Sequence, residues 1–105
     1  MIEVRYFVDR QGREPLLRWF DDLEREALRR VDRAVSRLAE GNTSNAKSVG
    51  EGVHELKIDF EPGYRVYFGR QGSAIVVLLG GGTKKKQAQD IATAKERWAY
   101  YRRTV

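Results

Sequence analysis

Three consecutive segments in the middle of the chain decide the fold: VHELKIDF at 53–60, YRVYFGR at 64–70 and SAIVVLLG at 73–80. All three are rich in β-branched and aromatic residues, which favour strands. The sequences between them, Glu61-Pro62-Gly63 and Gln71-Gly72, are typical of tight turns. Together they predict a meander of three antiparallel strands.

The apolar residues of the first two segments predict the register of their pairing. If the three-residue loop places Phe60 opposite Tyr64, the remaining apolar side chains also meet in pairs on one face of the sheet. These pairs are Ile58 with Val66 and Leu56 with Phe68. A strand pair with one continuous apolar face is expected to cover a core.

The same register gathers polar residues on the opposite face, which is expected to be open to solvent. It places Asp59 opposite Arg65 and Lys57 opposite Tyr67. Glu55 lies on this face as well. The pattern therefore predicts a polar patch on an open sheet face.

The third segment leads into a run of glycines and lysines. Its part from Ala74 to Leu79 is apolar on both faces, which predicts a strand in the interior of the sheet. It continues into GGGTKKK at 80–86. Because adjacent strands of a meander alternate in direction, we expect Lys84 to Lys86, Arg65 and the Pro62-Gly63 turn to meet at one rim.

The flanking sequence adds one strand and three helices. Alternating apolar residues predict a first strand over 2–8, and apolar steps of three and four predict helices over 14–22, 24–40 and 88–103. The polar stretch 41–52 predicts a loop. The expected fold is α+β in a single domain over 1–105, with a mainly antiparallel sheet, an N-terminal helix pair and a C-terminal helix. Trp19, Phe20 and Trp98 lie on helical apolar stripes and are assigned to core packing.

The charge of the chain is concentrated in its second half. The formal net charge is +5, from 20 basic and 15 acidic residues. Residues 1–52 hold ten of each and cancel, whereas residues 53–105 hold ten basic and five acidic residues. A basic excess of this kind points to an acidic partner such as nucleic acid.

Residue counts exclude several classes of chemistry. With no cysteine and one histidine, the chain has no Cys/His zinc site, thiol nucleophile, disulfide framework or paired-histidine mechanism, and no metal or other cofactor is expected. The single histidine, His54, points with Leu56 and Ile58 and is assigned to the core side. A reducing cytoplasm is the expected compartment. The longest strongly apolar run, 74–79, is far shorter than the roughly 20 residues of a membrane span, so neither membrane insertion nor export is expected.

The glycine run does not form a nucleotide-binding motif. A P-loop requires Gly-Lys followed by Ser or Thr, four residues after its first glycine, and Thr83 follows Gly80 to Gly82 here. The glycines either end a strand or allow close approach of the backbone to a ligand. The lysine run by itself is typical of a solvated turn, but cations that share a sheet face and its rim with Tyr67 are typical of nucleic-acid sites.

From Val53 to Phe68 the chain resembles the addiction-module killer proteins of the RelE/HigB toxin superfamily. The string PGYRVYF at 62–68 is the specific part of the resemblance. Further matching positions are Trp19-Phe20, Gly41-Asn42, 49–53, Leu78-Leu79, Gly81-Gly82, Lys84, Gln87, Asp90-Ile91, Ala94 and Trp98. The resemblance covers nearly the whole chain.

This resemblance implies a small RelE-like toxin of a type II toxin–antitoxin module. Such a toxin is held inactive by a cognate antitoxin, often a helix-turn-helix protein, and meets promoter DNA only through that antitoxin. Members of the RelE and HigB types are endoribonucleases that cleave messenger RNA on the translating ribosome. The implied reaction is attack by an RNA 2′-hydroxyl on the neighbouring phosphate, for which no metal is needed.

Roles are carried over from the resemblance position by position. Lys57 resembles the strand lysine of RelE-type sites, Arg65 their Gly-Tyr-Arg arginine, and Lys84 to Lys86 the basic residues after the last strand. Arg65 is then the phosphate clamp, and Lys57 either transfers a proton or stabilises charge. Lys84 completes the catalytic set, while Lys85 and Lys86 bind the RNA backbone. Tyr67 is the aromatic RNA-binding residue of the open face.

Three positions depart from the pattern of the resembling proteins. Glu55 stands where some RelE-type sites carry a second lysine, Thr83 replaces the aspartate of a Gly-Gly-Asp-Lys-Ser motif, and Glu61 occupies a turn position that commonly has glycine. Two alternatives stay open. ParE-type toxins share the fold and inhibit DNA gyrase without catalysis, and an inactive basic RNA- or partner-binding homologue would account for Glu55 and Thr83.

Overall fold

A computed structural model describes residues 2–104. The elements follow in the order β1 (Glu3–Tyr6), α1 (Pro15–Asp21), α2 (Arg25–Ala39), β2 (Ala46–Gly50), β3 (Val53–Ile58), β4 (Tyr64–Gln71), β5 (Ile75–Thr83) and α3 (Gln87–Thr104), with a 3-10 turn over Lys84–Lys86. The five strands form one sheet in the order β1-β5-β4-β3-β2. Only β1 and β5 run parallel. The α+β class, the mainly antiparallel sheet, the N-terminal helix pair and the C-terminal helix are all confirmed.

The strand β5 lies in the interior of the sheet, as its apolar sequence predicts. It is flanked by β1 on one side and β4 on the other, and residues 76–80 are buried. The short strand β1 pairs only with residues 75–78 of β5. The glycine-rich end of β5 is therefore paired with β4 alone, and its other edge carries no strand among residues 2–104.

The strand β2 was not predicted, and residues 46–50 do not form the expected loop. This strand pairs with β3 at the edge of the sheet, with a shift in register between Ser48 and Gly50. Only Ala46 and Val49 are half-buried, and its other residues are exposed. A short edge strand with so little apolar burial leaves almost no periodic signal in the sequence.

The predicted register between β3 and β4 is wrong by two residues. Ile58, not Phe60, is opposite Tyr64, and Lys57 is opposite Arg65. The connection is longer than expected because Phe60 leaves the ladder. Its amide N–H donates to the Ile58 carbonyl at 3.0 Å, and the Gly63 N–H donates to the Phe60 carbonyl at 2.6 Å. Since the shift is an even number of residues, every side chain stays on its predicted face, but each cross-strand partner changes.

The helices cover both faces of the sheet. On the apolar face, α1 and α2 contribute Leu16, Val31, Val35 and Leu38 to a core with the β3–β5 residues Leu56, Ile58, Val66, Phe68, Val76 and Leu78. On the other face, α3 brings Ala94 and Trp98 against Val53, Tyr67, Val77 and Leu79. Trp19, Phe20 and Trp98 pack against these cores, as predicted. The expectation of an open polar face is wrong over most of its area, because α3 lies across it.

Glycine makes the close approach of α3 possible. A Cβ atom at Gly69 or at Gly52 would collide with the indole ring of Trp98. Burying a side chain of this size stabilises the fold by about 2–3 kcal/mol. The helix therefore lies tightly on the sheet at Trp98.

Candidate nucleic-acid interface

The end of β3, the start of β4 and the end of β5 meet at one rim of the sheet. Lys57 is the cross-strand partner of Arg65, and Arg65 is in turn the partner of Gly82. The Lys84 N–H donates to the Gly63 carbonyl at 3.1 Å, which joins the lysine run to the β3–β4 turn. The structure thus brings together Lys57, Arg65 and Lys84, as the meander predicts, and we call this group the cationic rim.

Two cations face each other directly in the cationic rim. Directly opposed residues of an antiparallel pair have Cβ atoms about 4.5–5.5 Å apart, and like charges in that position destabilise the pair. The Lys57 side chain is exposed, whereas Arg65 is only 7% exposed. The pair concentrates positive potential at a point where one of the charges is shielded from water.

Arg65 has few partners for its buried guanidinium group. The closest anion is Glu55, whose Oε2 atom lies 3.6 Å from Arg65 Nε, too far for a hydrogen bond. Within residues 2–104, Nε and Nη1 of Arg65 are buried and have no hydrogen-bond partner. A buried donor left unpaired costs about 1–3 kcal/mol, which an anion bound at the rim would recover.

Glu55 lies at the centre of the polar residues beneath the rim. It is 1% exposed, and its Oε2 atom accepts a hydrogen bond of 2.8 Å from Gln87 Nε2. Its Oε1 atom lies 3.8 Å from Lys47 Nζ. The predicted register placed Glu55 on this face, but its only predicted significance was as a departure from a lysine pattern. The position of an acid two residues before Lys57 on the same strand face is the signal that could have identified its role.

Gln87 matched the resemblance pattern without a predicted role, and Lys47 was not identified from the sequence. They come from α3 and β2, respectively, and reach Glu55 from opposite sides. Their proximity depends on the edge strand β2 and on how α3 lies over the sheet, and neither is visible in local sequence.

Tyr67 lies on the predicted face, but the expectation that its ring is open for stacking is wrong. The residue is 1% exposed because α3 packs over it. Its hydroxyl is buried and has no hydrogen-bond partner within the described chain, residues 2–104. Burial raises the pKa of the Tyr67 hydroxyl well above its usual value, and the negative charges of Glu55 and Asp90 raise it further. Tyr67 is therefore a neutral phenol at physiological pH and can donate a hydrogen bond.

The three lysines after β5 form an exposed turn at the start of α3. Lys84, Lys85 and Lys86 are all exposed, and α3 begins at the next residue. The first turn of a helix has a partial positive charge, and cations placed there add to it instead of compensating it. The turn is suited to attract a polyanion to the rim.

The glycine run is part of β5 and holds side chains of two helices close to the strand. A Cβ atom at Gly81 would collide with the Trp19 ring of α1, and one at Gly82 with the Asp90 carboxylate of α3. A Cβ at Gly80 would come within 2.6 Å of Arg97 Nη1, which donates a 2.8 Å hydrogen bond to the Leu79 carbonyl. Close approach, not phosphate binding by a loop, explains the glycines.

The pKa values of Asp90 and Arg97 are both shifted by the position of these side chains over the glycine run. Burial raises the pKa of Asp90, although the positive charges of Lys86 and Arg97 act in the opposite direction. Burial lowers the pKa of Arg97, opposed by the carboxylates of Asp9, Asp90 and Glu96. Asp90 matched the resemblance pattern, but no role was predicted for it.

His54 lies on the same face of the sheet as Leu56 and Ile58, as predicted. It is half-buried on the apolar face, and its ring stacks on Phe68 with the ring centroids 5.3 Å apart. Burial and then the positive charge of Arg70 lower its pKa. Among residues 2–104, no group of three or more His, Asp or Glu side chains could hold a metal ion. None of the helices within the same range is long and apolar enough to cross a membrane.

Two sequence comparisons relate this chain to known proteins. An uncharacterized protein of Haemophilus influenzae (strain ATCC 51907 / DSM 11121 / KW20 / Rd) is 41% identical over 78 residues, which cover 73% of this chain and 79% of the relative. The model of the phage-derived Gp49-like proteins (DUF891) matches residues 18–99, a range that includes α2, most of α3 and the whole cationic rim. Membership of the toxin-like families of the RelE/Gp49 type implies pairing with an antitoxin. The chain belongs to one of them, the Gp49-like family.

Proposed function

We propose that this protein is a ribosome-dependent mRNA endonuclease, the toxin of a toxin–antitoxin module, and that its reaction needs no metal. The observation that carries the proposal is the cross-strand pair of Lys57 and Arg65, in which a buried guanidinium has two nitrogen atoms without hydrogen-bond partners in residues 2–104. A phosphodiester of RNA is the anion that fits this pair, because guanidinium nitrogens match phosphate oxygens in geometry and charge.

The proposed reaction is an internal transfer at phosphorus. The ribose 2′-oxygen forms a bond to the adjacent phosphorus atom, and the bond from phosphorus to the 5′-oxygen of the next nucleotide breaks. The products are a cyclic 2′,3′-phosphate and a 5′-hydroxyl end. The proton of the 2′-hydroxyl leaves to a base, and a proton reaches the departing 5′-oxygen from an acid.

Arg65 stabilises the negative charge that develops on the phosphoryl oxygens. Its side chain is buried, so its charge acts in a medium less polarisable than water, and its position is set before the substrate arrives. Preorganised charge of this kind is the largest contribution to many enzymatic rate enhancements.

Lys57 and the lysine turn provide the remaining positive charge. Lys57 is exposed beside Arg65 and can reach either oxygen that gains or loses a proton. Lys84 lies at the same rim, joined to Gly63, and Lys85 and Lys86 extend the positive surface along the RNA backbone. These assignments keep every cation that the sequence predicted as a site residue.

Glu55 is a positioning residue in this account. Its carboxylate is buried between Arg65, Lys47 and Gln87, so it limits where the guanidinium can point. Glu55 stands where some RelE-type sites carry a second lysine, and a carboxylate with this role is compatible with an active site. This favours the endonuclease over an inactive homologue.

Expression without an antitoxin tests the proposal in cells. The protein should stop growth and leave messenger RNAs with new ends inside their reading frames, while co-expression of a neighbouring helix-turn-helix protein restores growth. Growth arrest with intact messenger RNA and inhibited supercoiling by gyrase would replace the proposal by gyrase inhibition. Harmless expression with measurable RNA binding would replace it by an inactive RNA-binding role.

A further inference from the structure

Beside the cationic rim is a small polar cleft at the open edge of β5. Its floor is the backbone of Gly80 and Gly81, and its walls are Trp19 and Pro15 of α1 on one side and Asp90, Thr93 and Arg97 of α3 on the other. The cleft has a volume of about 200 Å³. Drug-sized ligands occupy roughly 300–1,000 Å³, so this cleft suits a smaller group such as one nucleobase.

The chemistry of the cleft combines one acceptor group with several donors. Asp90 presents a carboxylate, whereas Tyr67, Thr93 and Arg97 present hydroxyl or guanidinium donors. Tyr67, the cross-strand partner of Gly80, also lines the cleft. The Tyr67 hydroxyl is buried and has no hydrogen-bond partner within residues 2–104, so its donor is available to a group bound in the cleft.

The cleft is adjacent to the site at which the phosphate is proposed to bind. Tyr67 lies two residues from Arg65 on the same face of β4, a separation of roughly 7 Å along a strand. Asp90 packs against Gly82, the cross-strand partner of Arg65. A nucleotide with its phosphate at Arg65 can therefore reach the cleft with its own base or with the base of its neighbour.

We propose that this cleft binds a guanine base next to the cleaved phosphate and so sets the base preference of the enzyme, an inference that rests on the proposed endonuclease function. Guanine offers two adjacent donors, N1–H and the N2 amino group, which match the two oxygens of the Asp90 carboxylate. Its O6 acceptor matches the donors Tyr67, Thr93 and Arg97. Trp19 supplies an aromatic wall to the cleft, and aromatic side chains are the groups on which bases stack. Adenine places a donor where guanine has O6 and has no N1–H, so it fits the same cleft poorly.

Direct binding of mononucleotides tests the cleft apart from cleavage. The probes are 5′-GMP, 5′-AMP and 5′-IMP, which lacks the N2 amino group, and the readout is the indole N–H signals of the two tryptophans in an NMR spectrum of the full chain. We expect 5′-GMP to shift the Trp19 signal and not that of Trp98, which belongs to α3, is packed against the sheet and does not line the cleft. 5′-AMP should bind roughly tenfold more weakly, and 5′-IMP should fall between them.

Substitution of Asp90 tests the assigned base contact. Asp90→Asn exchanges one acceptor for a donor, so the preference for 5′-GMP over 5′-AMP should fall by roughly tenfold or more. Glu96→Gln is the matched control, because it removes a carboxylate from the same helix at an exposed position outside the cleft. Thr93→Val is a second variant that removes one donor, and it should weaken 5′-GMP binding without reversing the preference.

The outcomes separate this inference from the proposed function. Selective binding of 5′-GMP at Trp19 without any RNA cleavage would retain the guanine site and overturn the endonuclease. Cleavage of mRNA with no dependence on guanine, together with an unshifted Trp19 signal at saturating 5′-GMP, would overturn the guanine site alone. Equal effects of Asp90→Asn and Glu96→Gln on the preference would also overturn it.

Discussion

Lys57 and Arg65 are direct cross-strand partners in the antiparallel pair of β3 and β4. Two cations in this relationship repel each other, and the fold retains them although Asp59 follows Lys57 by only two residues, just beyond the end of β3. The sequence-based register placed Asp59 opposite Arg65 and so predicted a neutralised pair. In the actual register Arg65 faces Lys57 instead, and its nearest carboxylate is that of Glu55, whose Oε2 lies 3.6 Å from Arg65 Nε without a hydrogen bond.

Lys57→Gln should separate activity from stability. Removing the exposed ammonium relieves repulsion with Arg65, so the midpoint of chemical denaturation should stay equal to or above that of the parent protein. The rate of mRNA cleavage should fall by roughly a hundredfold, since a proton-transfer or charge-stabilising group is lost. Arg70→Gln is the control, because it removes a cation from the far end of β4 and should leave the rate unchanged. Equal rates for the parent and Lys57→Gln would remove Lys57 from the reaction.

Glu55→Gln should affect turnover more than substrate binding. The variant keeps an oxygen for Gln87 but no longer balances the Arg65 guanidinium, so the free energy of unfolding should fall by about 1–3 kcal/mol. Because Glu55 does not touch the substrate, kcat should decrease while KM for mRNA-programmed ribosomes stays nearly constant. A rise in KM at unchanged kcat would contradict a positioning role.

Gly69→Ala should destabilise the fold through Trp98. The added methyl group would collide with the indole ring, and overpacking of this kind costs about 1–3 kcal/mol. In the background of Trp98→Leu the same substitution should cost much less, because the smaller side chain leaves room. A double-mutant cycle of urea denaturation measures the coupling, and strictly additive effects would show that the two residues do not meet.

His54 should make stability depend on pH below neutrality. Its pKa is lowered in the folded state by burial and by Arg70, whereas the unfolded chain has an ordinary histidine pKa of about 6.5. The folded state thus favours neutral His54. This contribution is fully present above about pH 6.5 and is lost as the pH falls below that value, because the unfolded state then binds the proton more readily. The stability difference between the parent and His54→Gln should decrease from pH 7 to pH 5, and a difference that stays constant over this range would contradict the lowered pKa.

Much of the fold could be predicted because its signals are local. The apolar spacing of α2, the continuous apolar run of β5 and the turns after Phe60 and Gln71 are each visible within a few residues. The strand β2 could not be predicted, since a half-exposed edge strand has no periodic apolar pattern. The register of β3 with β4 was wrong because the number of residues that leave the ladder after Ile58 depends on backbone hydrogen bonds in the loop.

The cations of the candidate site were predicted from the sequence, but the residues that surround them were not. Lys57, Arg65 and Lys84 follow from the meander, since strand direction alone brings them to one rim. The burial of Tyr67 depends on α3 lying across the sheet, and the contacts of Glu55 depend on Gln87 and Lys47 from distant segments. Long-range packing of this kind leaves no pattern in a single sequence.

The most direct test is to map RNA ends after the purified protein has been incubated with programmed ribosomes. A chelator holds free divalent metal below the level that a metal nuclease needs. A polyamine stabilises the ribosomes under this condition. The account predicts new 5′-hydroxyl ends within the reading frame for the parent protein. It predicts a loss of at least a hundredfold in their yield for folded Arg65→Ala. Undiminished cleavage by Arg65→Ala, or no cleavage by the parent protein on ribosomes that still translate, would contradict the central role of the Lys57–Arg65 pair.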